Sequence, residues 1–94
     1  MILTGKSKEE FFSKSKYTES IFKELPILYQ NALIIEWLDS VEIIIIIENL
    51  AKNFFSFQIN HDVWMDYELA FKTRLDATIE AIKSAVKIYN EKHI

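Results

Sequence analysis

The sequence predicts a small α+β domain in which helices cover one face of an antiparallel β-sheet. Three patterns indicate this fold: a capping signal near the N-terminus, a central run of β-branched residues, and a long helical stripe near the C-terminus. Ninety-four residues suit one domain, so we assign residues 1–94 to a single domain. Half of the residues are hydrophobic, which is enough to form a core and argues against intrinsic disorder.

Two helices are expected before the sheet. Ser7 and Glu10 have the spacing of a capping box, so the first helix begins at Ser7, and it frays in the polar stretch 13–20. Pro26 suits the first turn of the second helix, because its missing N–H would have no partner there. Residues 26–39 then form a buried amphipathic helix. Its apolar stripe contains Ile27, Leu28, Ala32, Ile34, Ile35 and Leu38, and leaves out Gln30, Asn31 and Asp39.

A β-hairpin is predicted in the centre of the chain. Residues 41–48 form a β-branched run with the length of a strand and not of a helix. Residues 54–60 alternate between apolar and polar side chains, as a strand with one buried face does. The short polar connection between them indicates antiparallel pairing. Residues 63–68 alternate in a similar way and offer a third strand.

A long helix is predicted over residues 73–91. Thr73 and Asp76 have capping spacing, and apolar residues then recur every three or four positions. An isolated hairpin is unstable in water, so the sheet must be covered and this helix packs on it. Alanines beside the stripe allow a close approach. The stripe contains Leu75, Ile79, Ile82, Val86 and Tyr89, and the alanines are Ala77, Ala81 and Ala85.

Composition excludes several classes of function. A formal charge of −3 is of the wrong sign for a protein that binds nucleic acid over its whole surface. The absence of cysteine excludes disulfide scaffolds and thiolate metal sites, and a single glycine excludes glycine-rich phosphate loops. The N-terminus turns polar after two apolar residues, and the longest apolar run, 43–47, is far too short to cross a bilayer. We therefore expect a cytoplasmic protein that does not enter membranes.

One acidic cluster has the residue types of a metal or acid–base site: His61, Asp62, Asp66 and Glu68. We interpret it as a solvated loop, because no predicted rigid element holds these carboxylates together. No serine lies in a glycine-flanked turn between a strand and a helix, as a nucleophilic serine of a hydrolase does. The sequence therefore predicts no enzyme, no cofactor and no metal.

The first predicted strand has an unusual outer face. If Val41, Ile43, Ile45 and Ile47 face the helices, the alternate residues leave isoleucines exposed between carboxylates, which is typical of a partner-binding surface. The alternatives are that another segment covers this face or that it forms the seam of a homodimer. The predicted partner-binding residues are Glu42, Ile44, Ile46, Glu48, Phe54, Asp62, Asp66 and Glu68.

Several short blocks spread over nearly the whole chain carry a resemblance. They are Leu3-Thr4-Gly5-Lys6, Glu10-Phe11, Glu24-Leu25-Pro26, Tyr29-Gln30, Leu38-Asp39-Ser40-Val41, Phe71-Lys72-Thr73-Arg74, Ala77, Ala81-Ile82 and Ile88-Tyr89-Asn90. These blocks resemble a family of short phage and prophage proteins of the Bacteroidota. The resemblance implies a viral or mobile-element origin and the same small α/β layout, but no particular reaction. Family members often have a different, aromatic-rich segment at 31–37 and glycine at the position of Glu42.

An acidic, cysteine-free phage protein of this size is similar to anti-CRISPR proteins, many of which bind an effector and occupy its basic groove. The resemblance implies a non-enzymatic inhibitor of a host CRISPR effector ribonucleoprotein, of type II or of the RNA-targeting type VI-B. The alternatives are a homodimeric structural or regulatory phage protein, and a small RNA-binding protein that uses the last helix. The basic residues near that helix are Lys72, Arg74, Lys83, Lys87 and Lys92, against Asp76, Glu80 and Glu91.

Overall fold

The computed structural model describes residues 2–60 and 71–93. Within these ranges, three helices precede a two-stranded antiparallel sheet, and a long final helix packs on both strands. The predicted α+β class, the antiparallel hairpin and the covering C-terminal helix are therefore confirmed. The elements are α1 (Gly5–Lys14), α2 (Glu19–Glu24), α3 (Ile27–Ser40), β1 (Ile45–Ala51), β2 (Phe54–Ile59) and α4 (Arg74–Lys92).

Helix α1 begins at Gly5, before the predicted start at Ser7. Thr4 is the N-cap residue but makes no capping bond with its side chain. Ser7 lies inside the first turn, fully buried, and its hydroxyl donates to the carbonyl oxygen of Thr4 at 2.6 Å. The predicted capping box at Ser7 and Glu10 is wrong, because the N–H of Ser7 donates to the side chain of Asn90 on α4.

A short helix, α2, begins at the end of the polar stretch 13–20 and continues to Glu24, where the sequence analysis predicts no helix. The hydroxyl of Thr18 caps it by accepting a hydrogen bond from the N–H of Ile21 at 3.4 Å. Phe22 is fully buried and packs edge to face on Phe11 and Phe12 of α1. Burial of this ring offsets the low helix propensity of the surrounding sequence, and it fixes α2 against α1.

Helix α3 lies close to the predicted range 26–39, and its buried face matches the predicted stripe only in part, at Ile34 and Leu38. Ile27 and Leu28 belong to the predicted buried stripe, yet they are 46% and 68% exposed. Trp37 packs edge to face on Phe11 and Tyr89. These contacts turn the Trp37 side of the helix toward the core, instead of the side that carries Ile27 and Leu28. The residues of α3 that are buried are Asn31, Ile34, Trp37 and Leu38.

The first strand begins later than predicted, because the chain must first leave helix α3. The N–H of Ile43 donates to the carbonyl of Leu38 at 2.9 Å, and the N–H of Glu42 donates to the carbonyl of Asp39 at 3.1 Å. This pair of bonds is the Schellman motif, in which the residue after the helix takes a left-handed conformation. Glu42 has φ 65° and occupies that position. The predicted strand boundaries 41–48 are therefore wrong, and β1 extends instead to Ala51.

The register of the hairpin places odd-numbered residues on the core side. Ile45 pairs with Ile59 and Ile47 pairs with Phe57, and all four pack on the core together with the buried Ile43. The predicted alternation of the isoleucine run is therefore confirmed from Ile43 onward. The hydrophobic effect determines this alternation, because a shift by one residue would expose every one of these side chains.

Helix α4 covers the core side of the sheet. Thr73 caps it by accepting a hydrogen bond from the N–H of Asp76 at 3.1 Å, as the sequence predicts. Small side chains let the helix approach the strands closely. Its buried residues are Ala77, Ala81, Ile82, Ala85, Val86 and Tyr89.

After Asn60, the next residue that the structure describes is Phe71, which forms an antiparallel bridge with Phe55. Their backbone groups exchange two hydrogen bonds of 2.8 and 3.0 Å. The predicted third strand, 63–68, lies outside the described residues. Within the described ranges, no helix combines the length and apolar character needed to span a bilayer.

Candidate functional site

The candidate site is the face of the sheet that turns away from α4, which we call the open face. Its centre consists of two cross-strand pairs, Ile46 with Gln58 and Glu48 with Ser56, none of which belongs to the hydrophobic core. Polar and apolar side chains therefore alternate on this face, and all four are only half-buried. The open face consists of Ile44, Ile46, Glu48, Phe54, Ser56 and Gln58.

The apolar members of the open face lie at its two ends. Ile44 is 43% exposed next to Asn60, and Phe54 is 36% exposed opposite Ala51, at the turn of the hairpin. The sequence predicts that Phe54 joins the isoleucines, but four residues separate it from the partner of Ile46, which is about 13 Å along a strand. Phe54 therefore lies on the open face but at its turn end, because β1 continues to Ala51 and a tight turn joins the two strands.

The hairpin turn adds an exposed apolar residue that the sequence analysis missed. The register shifts between Asn49 and Ala51, which leaves Leu50 as the extra residue of a β-bulge. Leu50 is 51% exposed and lies in the strand segment that precedes the turn to Phe54. A bulge leaves little trace in a sequence, although an apolar residue beside a polar turn is a weak signal of one. Leu50 and Phe54 thus form the apolar end of the sheet at the turn.

Glu48 is the charged centre of the open face. The side-chain amide of Gln58 donates a hydrogen bond to Oε1 of Glu48 at 2.7 Å. This neutral donor holds the carboxylate in place and leaves its charge and its second oxygen for another partner. None of the ion pairs among the described residues involves Glu48.

The second predicted carboxylate, Glu42, is not part of the strand. It lies exposed in the left-handed turn that ends α3, two residues before Ile44. The isoleucines are therefore followed by a carboxylate on the strand but preceded by one on a turn. The remaining predicted members of the site, Asp62, Asp66 and Glu68, lie outside the described residues, as does the cluster around His61.

Helix α4, the surface of the RNA-binding alternative, carries a mixture of charges. Exposed or half-exposed acids and bases follow each other on one side at spacings of three or four residues. Lys83 donates to Glu80 at 3.3 Å, and the guanidinium carbon of Arg74 lies 5.4 Å from the centre of the Phe55 ring. A groove for a phosphate backbone needs a continuous basic stripe. This face of α4 does not provide one, because the sequence of side chains is Asp76, Glu80, Lys83, Lys87 and Glu91.

A second exposed apolar surface lies on α2 and α3, and the sequence analysis missed it. The predicted stripe assumed that the aliphatic residues of α3 are buried, whereas the large ring of Trp37 determines which side is buried. Counting back from Trp37 in steps of three gives Ile34 and Asn31, the residues that are in fact buried. The exposed residues are Ile21, Ile27, Leu28 and Tyr29.

Among residues 2–60 and 71–93, no three side chains of metal-ligand type lie close enough together to hold an ion. Comparisons with protein-family profiles, with curated protein sequences and with solved structures found no match to this chain.

Proposed function

We propose that this chain is a non-enzymatic binding protein that docks its open face on a basic surface of a partner protein. The observation that carries the proposal is the exposure of Ile44 on the same face as the Glu48 carboxylate, which no described cation neutralises. Exposed apolar residues next to charge are characteristic of interaction surfaces. In such surfaces apolar anchors mainly set the lifetime of the complex, and charge mainly sets the rate of association.

We infer the class of partner protein from the net negative charge of the chain and from its resemblance to phage proteins. CRISPR effectors hold a nucleic-acid duplex in a positively charged channel. An acidic protein surface can compete for such a channel, and this chain carries a net charge of −3. The specific form of the proposal is an anti-CRISPR inhibitor of an RNA-targeting type VI-B effector, acting in the host cytoplasm. The support for this form is the family resemblance, the net negative charge and the Glu48 carboxylate on the open face.

The proposal is tested by measuring binding of the purified chain to a purified type VI-B effector with its guide RNA, and cleavage of a fluorescent RNA by that complex. We expect the chain to bind and to inhibit cleavage. Replacing Glu42 and Glu48 by lysine should slow association and flatten its salt dependence, because steering by charge is lost. Ile46→Ala should shorten the lifetime of the complex with little change in fold.

The matched control reverses charge on α4, with Lys83 and Lys87 replaced by glutamate. We expect this control to bind like the wild type. If the control loses binding while the open-face variants keep it, α4 is the working surface and the RNA-binding alternative replaces this proposal. Sedimentation equilibrium of the same preparations tests the homodimer alternative directly.

A further inference from the structure

Strand β1 has an outer edge, on the side away from β2. The N–H of Asn60 donates to the carbonyl of Ile44 at 2.8 Å, and the N–H of Ile44 donates to the side-chain oxygen of Asn60 at 2.8 Å. Ile44 therefore directs its backbone groups toward β2. The direction of these groups alternates along an antiparallel strand. The residues of β1 whose N–H and C=O point away from β2 are consequently Ile45, Ile47 and Asn49.

The hydrogen bonds on the outer edge of β2 agree with this assignment of inward and outward groups. Phe55 pairs with Asn49 across the hairpin, yet its N–H and C=O bond to Phe71 on the opposite side. The pair formed by Asn49 and Phe55 therefore shares no backbone hydrogen bond, as the alternation requires. Phe71 thus occupies the outer edge of β2 at Phe55. Within residues 2–60 and 71–93, by contrast, no backbone group bonds to the outward N–H and C=O groups of Ile45, Ile47 and Asn49.

We infer that an extended segment of the partner adds to the outer edge of β1 as a third strand. This inference rests on the proposed function, because it describes how a partner of the open face is held. The outward N–H and C=O groups of Ile45, Ile47 and Asn49 supply backbone hydrogen bonds, and the neighbouring side chains of the open face supply specificity. Residues opposite Ile45 and Ile47 should be apolar, and the residue opposite Glu48, on the other face of the added strand, should be lysine or arginine.

Charge favours a basic strand over a second copy of this chain. Antiparallel pairing of two copies about Ile47 would place Ile46 opposite Glu48 of the second copy. The two Glu48 residues would then lie on the same face at diagonal positions, with their Cα atoms about 7–8 Å apart and no cation between the carboxylates. A strand that alternates apolar and basic residues can place its basic side chains on the open face, which puts a cation opposite Glu48 and removes the repulsion. The Glu48 carboxylate accepts the hydrogen bond from Gln58 at Oε1, which leaves its second oxygen for such a residue.

The probe is a synthetic peptide of about eight residues that alternates valine and lysine, a typical strand length. Amide hydrogen exchange is measured on the isotope-labelled full chain with and without the peptide. In the free protein the amides of Ile46 and Glu48 should exchange slowly, and those of Ile45, Ile47 and Asn49 rapidly. Saturating peptide should slow the second set about tenfold or more. A valine–glutamate peptide serves as the charge control and should leave the rates unchanged.

A pair of variants at Asn49 tests the backbone contribution. Asn49→Pro removes an outward N–H without removing a hydrogen bond of the hairpin, and Asn49→Ala removes the same side chain but keeps the N–H. We expect Asn49→Pro to bind the valine–lysine peptide about tenfold more weakly than Asn49→Ala does. Equal affinities, or unchanged exchange at the three outward amides of the wild type, would overturn the inference. The exchange experiment does not depend on how well the proline variant folds.

The outcomes also separate this inference from the proposed function. If the open-face variants weaken effector binding while Asn49→Pro binds the effector as Asn49→Ala does, the partner uses the open face without adding a strand. If the open-face variants bind as the wild type does, the proposed function itself is wrong. Protection of the outward amides by a second copy at high protein concentration, without peptide, would replace the basic strand by self-association.

Discussion

The side-chain carboxamide of Asn90 accepts a hydrogen bond from the backbone N–H of Ser7 at 2.8 Å, across 83 residues of sequence. The same carboxamide donates to the hydroxyl oxygen of Thr4 at 3.2 Å. The end of α4 therefore caps the start of α1, where the helix would otherwise leave N–H groups without a partner. The N-terminal helix is thus fixed by the C-terminal helix and not by its own first residues.

Asn90→Ala should lower the free energy of unfolding by about 1–2 kcal/mol, because it leaves the N–H of Ser7 without an acceptor. Urea denaturation measures the loss. Asn90→Asp retains an acceptor and should lose less. Asn49→Ala, at an exposed asparagine, is the control and should change stability by no more than about 0.5 kcal/mol. Equal losses in both Asn90 variants would contradict the capping role.

Glu42→Gly should raise the free energy of unfolding by up to about 1 kcal/mol. The left-handed conformation costs a non-glycine residue about 1–2 kcal/mol, and glycine avoids this strain. Glycine loses more conformational entropy on folding, however, so only part of that energy is gained. Glu42→Ala removes the charge but keeps the strain, so its stability should stay close to that of the wild type. If the alanine variant gains as much as the glycine variant, charge and not backbone conformation is the cause.

Asn31→Leu should stabilise the protein by about 1–2 kcal/mol, because a buried amide without hydrogen bonds is costly. Asn31 is 3% exposed, and neither its oxygen nor its nitrogen has a partner within the described part of the chain. Thermal and urea unfolding measure the change. Asn31→Ala is the control for lost packing and should not share the gain. A less stable leucine variant would show that the amide is hydrogen-bonded in solution.

Ile45→Asp should destabilise the protein by several kcal/mol, because it places a carboxylate against the core side of the sheet. Ile44→Asp, at a position that is 43% exposed on the open face, should cost much less. Circular dichroism during thermal unfolding compares the two. If the two variants melt at the same temperature, the register of the hairpin is shifted by one residue.

The pKa of the Glu19 carboxyl lies below its ordinary value, because Lys8 donates a hydrogen bond to it and adds a favourable charge. NMR titration of the glutamate side chains should show this. Since the folded pKa is the lower one, the stabilisation is present above the unfolded value of about 4.3 and disappears as the pH falls through the folded value. Lys8→Met should raise the pKa of Glu19, whereas Lys6→Met should leave it unchanged.

Much of the candidate site could be predicted from the sequence, because alternation along a strand is a local property. Ile44, Ile46 and Glu48 share a face wherever the strand begins, because side chains alternate along it. Ile45 and Ile47 lie on the other face, where they pack on the core. The position of Phe54 could not be predicted in the same way. It depends on the length of the turn and on the bulge at Leu50, which arise from pairing between the two strands.

The sequence by itself determined the fold class, the start of α4 at Thr73 and the alternation of the isoleucines, since each follows from propensity or periodicity over a few residues. Tertiary structure decided which side of α3 is buried, where α1 begins and where β1 begins. Those outcomes depend on the ring of Trp37, the carboxamide of Asn90 and the left-handed turn at Glu42. The first two act between residues far apart in the chain, and the third takes a conformation that its side chain disfavours, so local patterns do not reveal them.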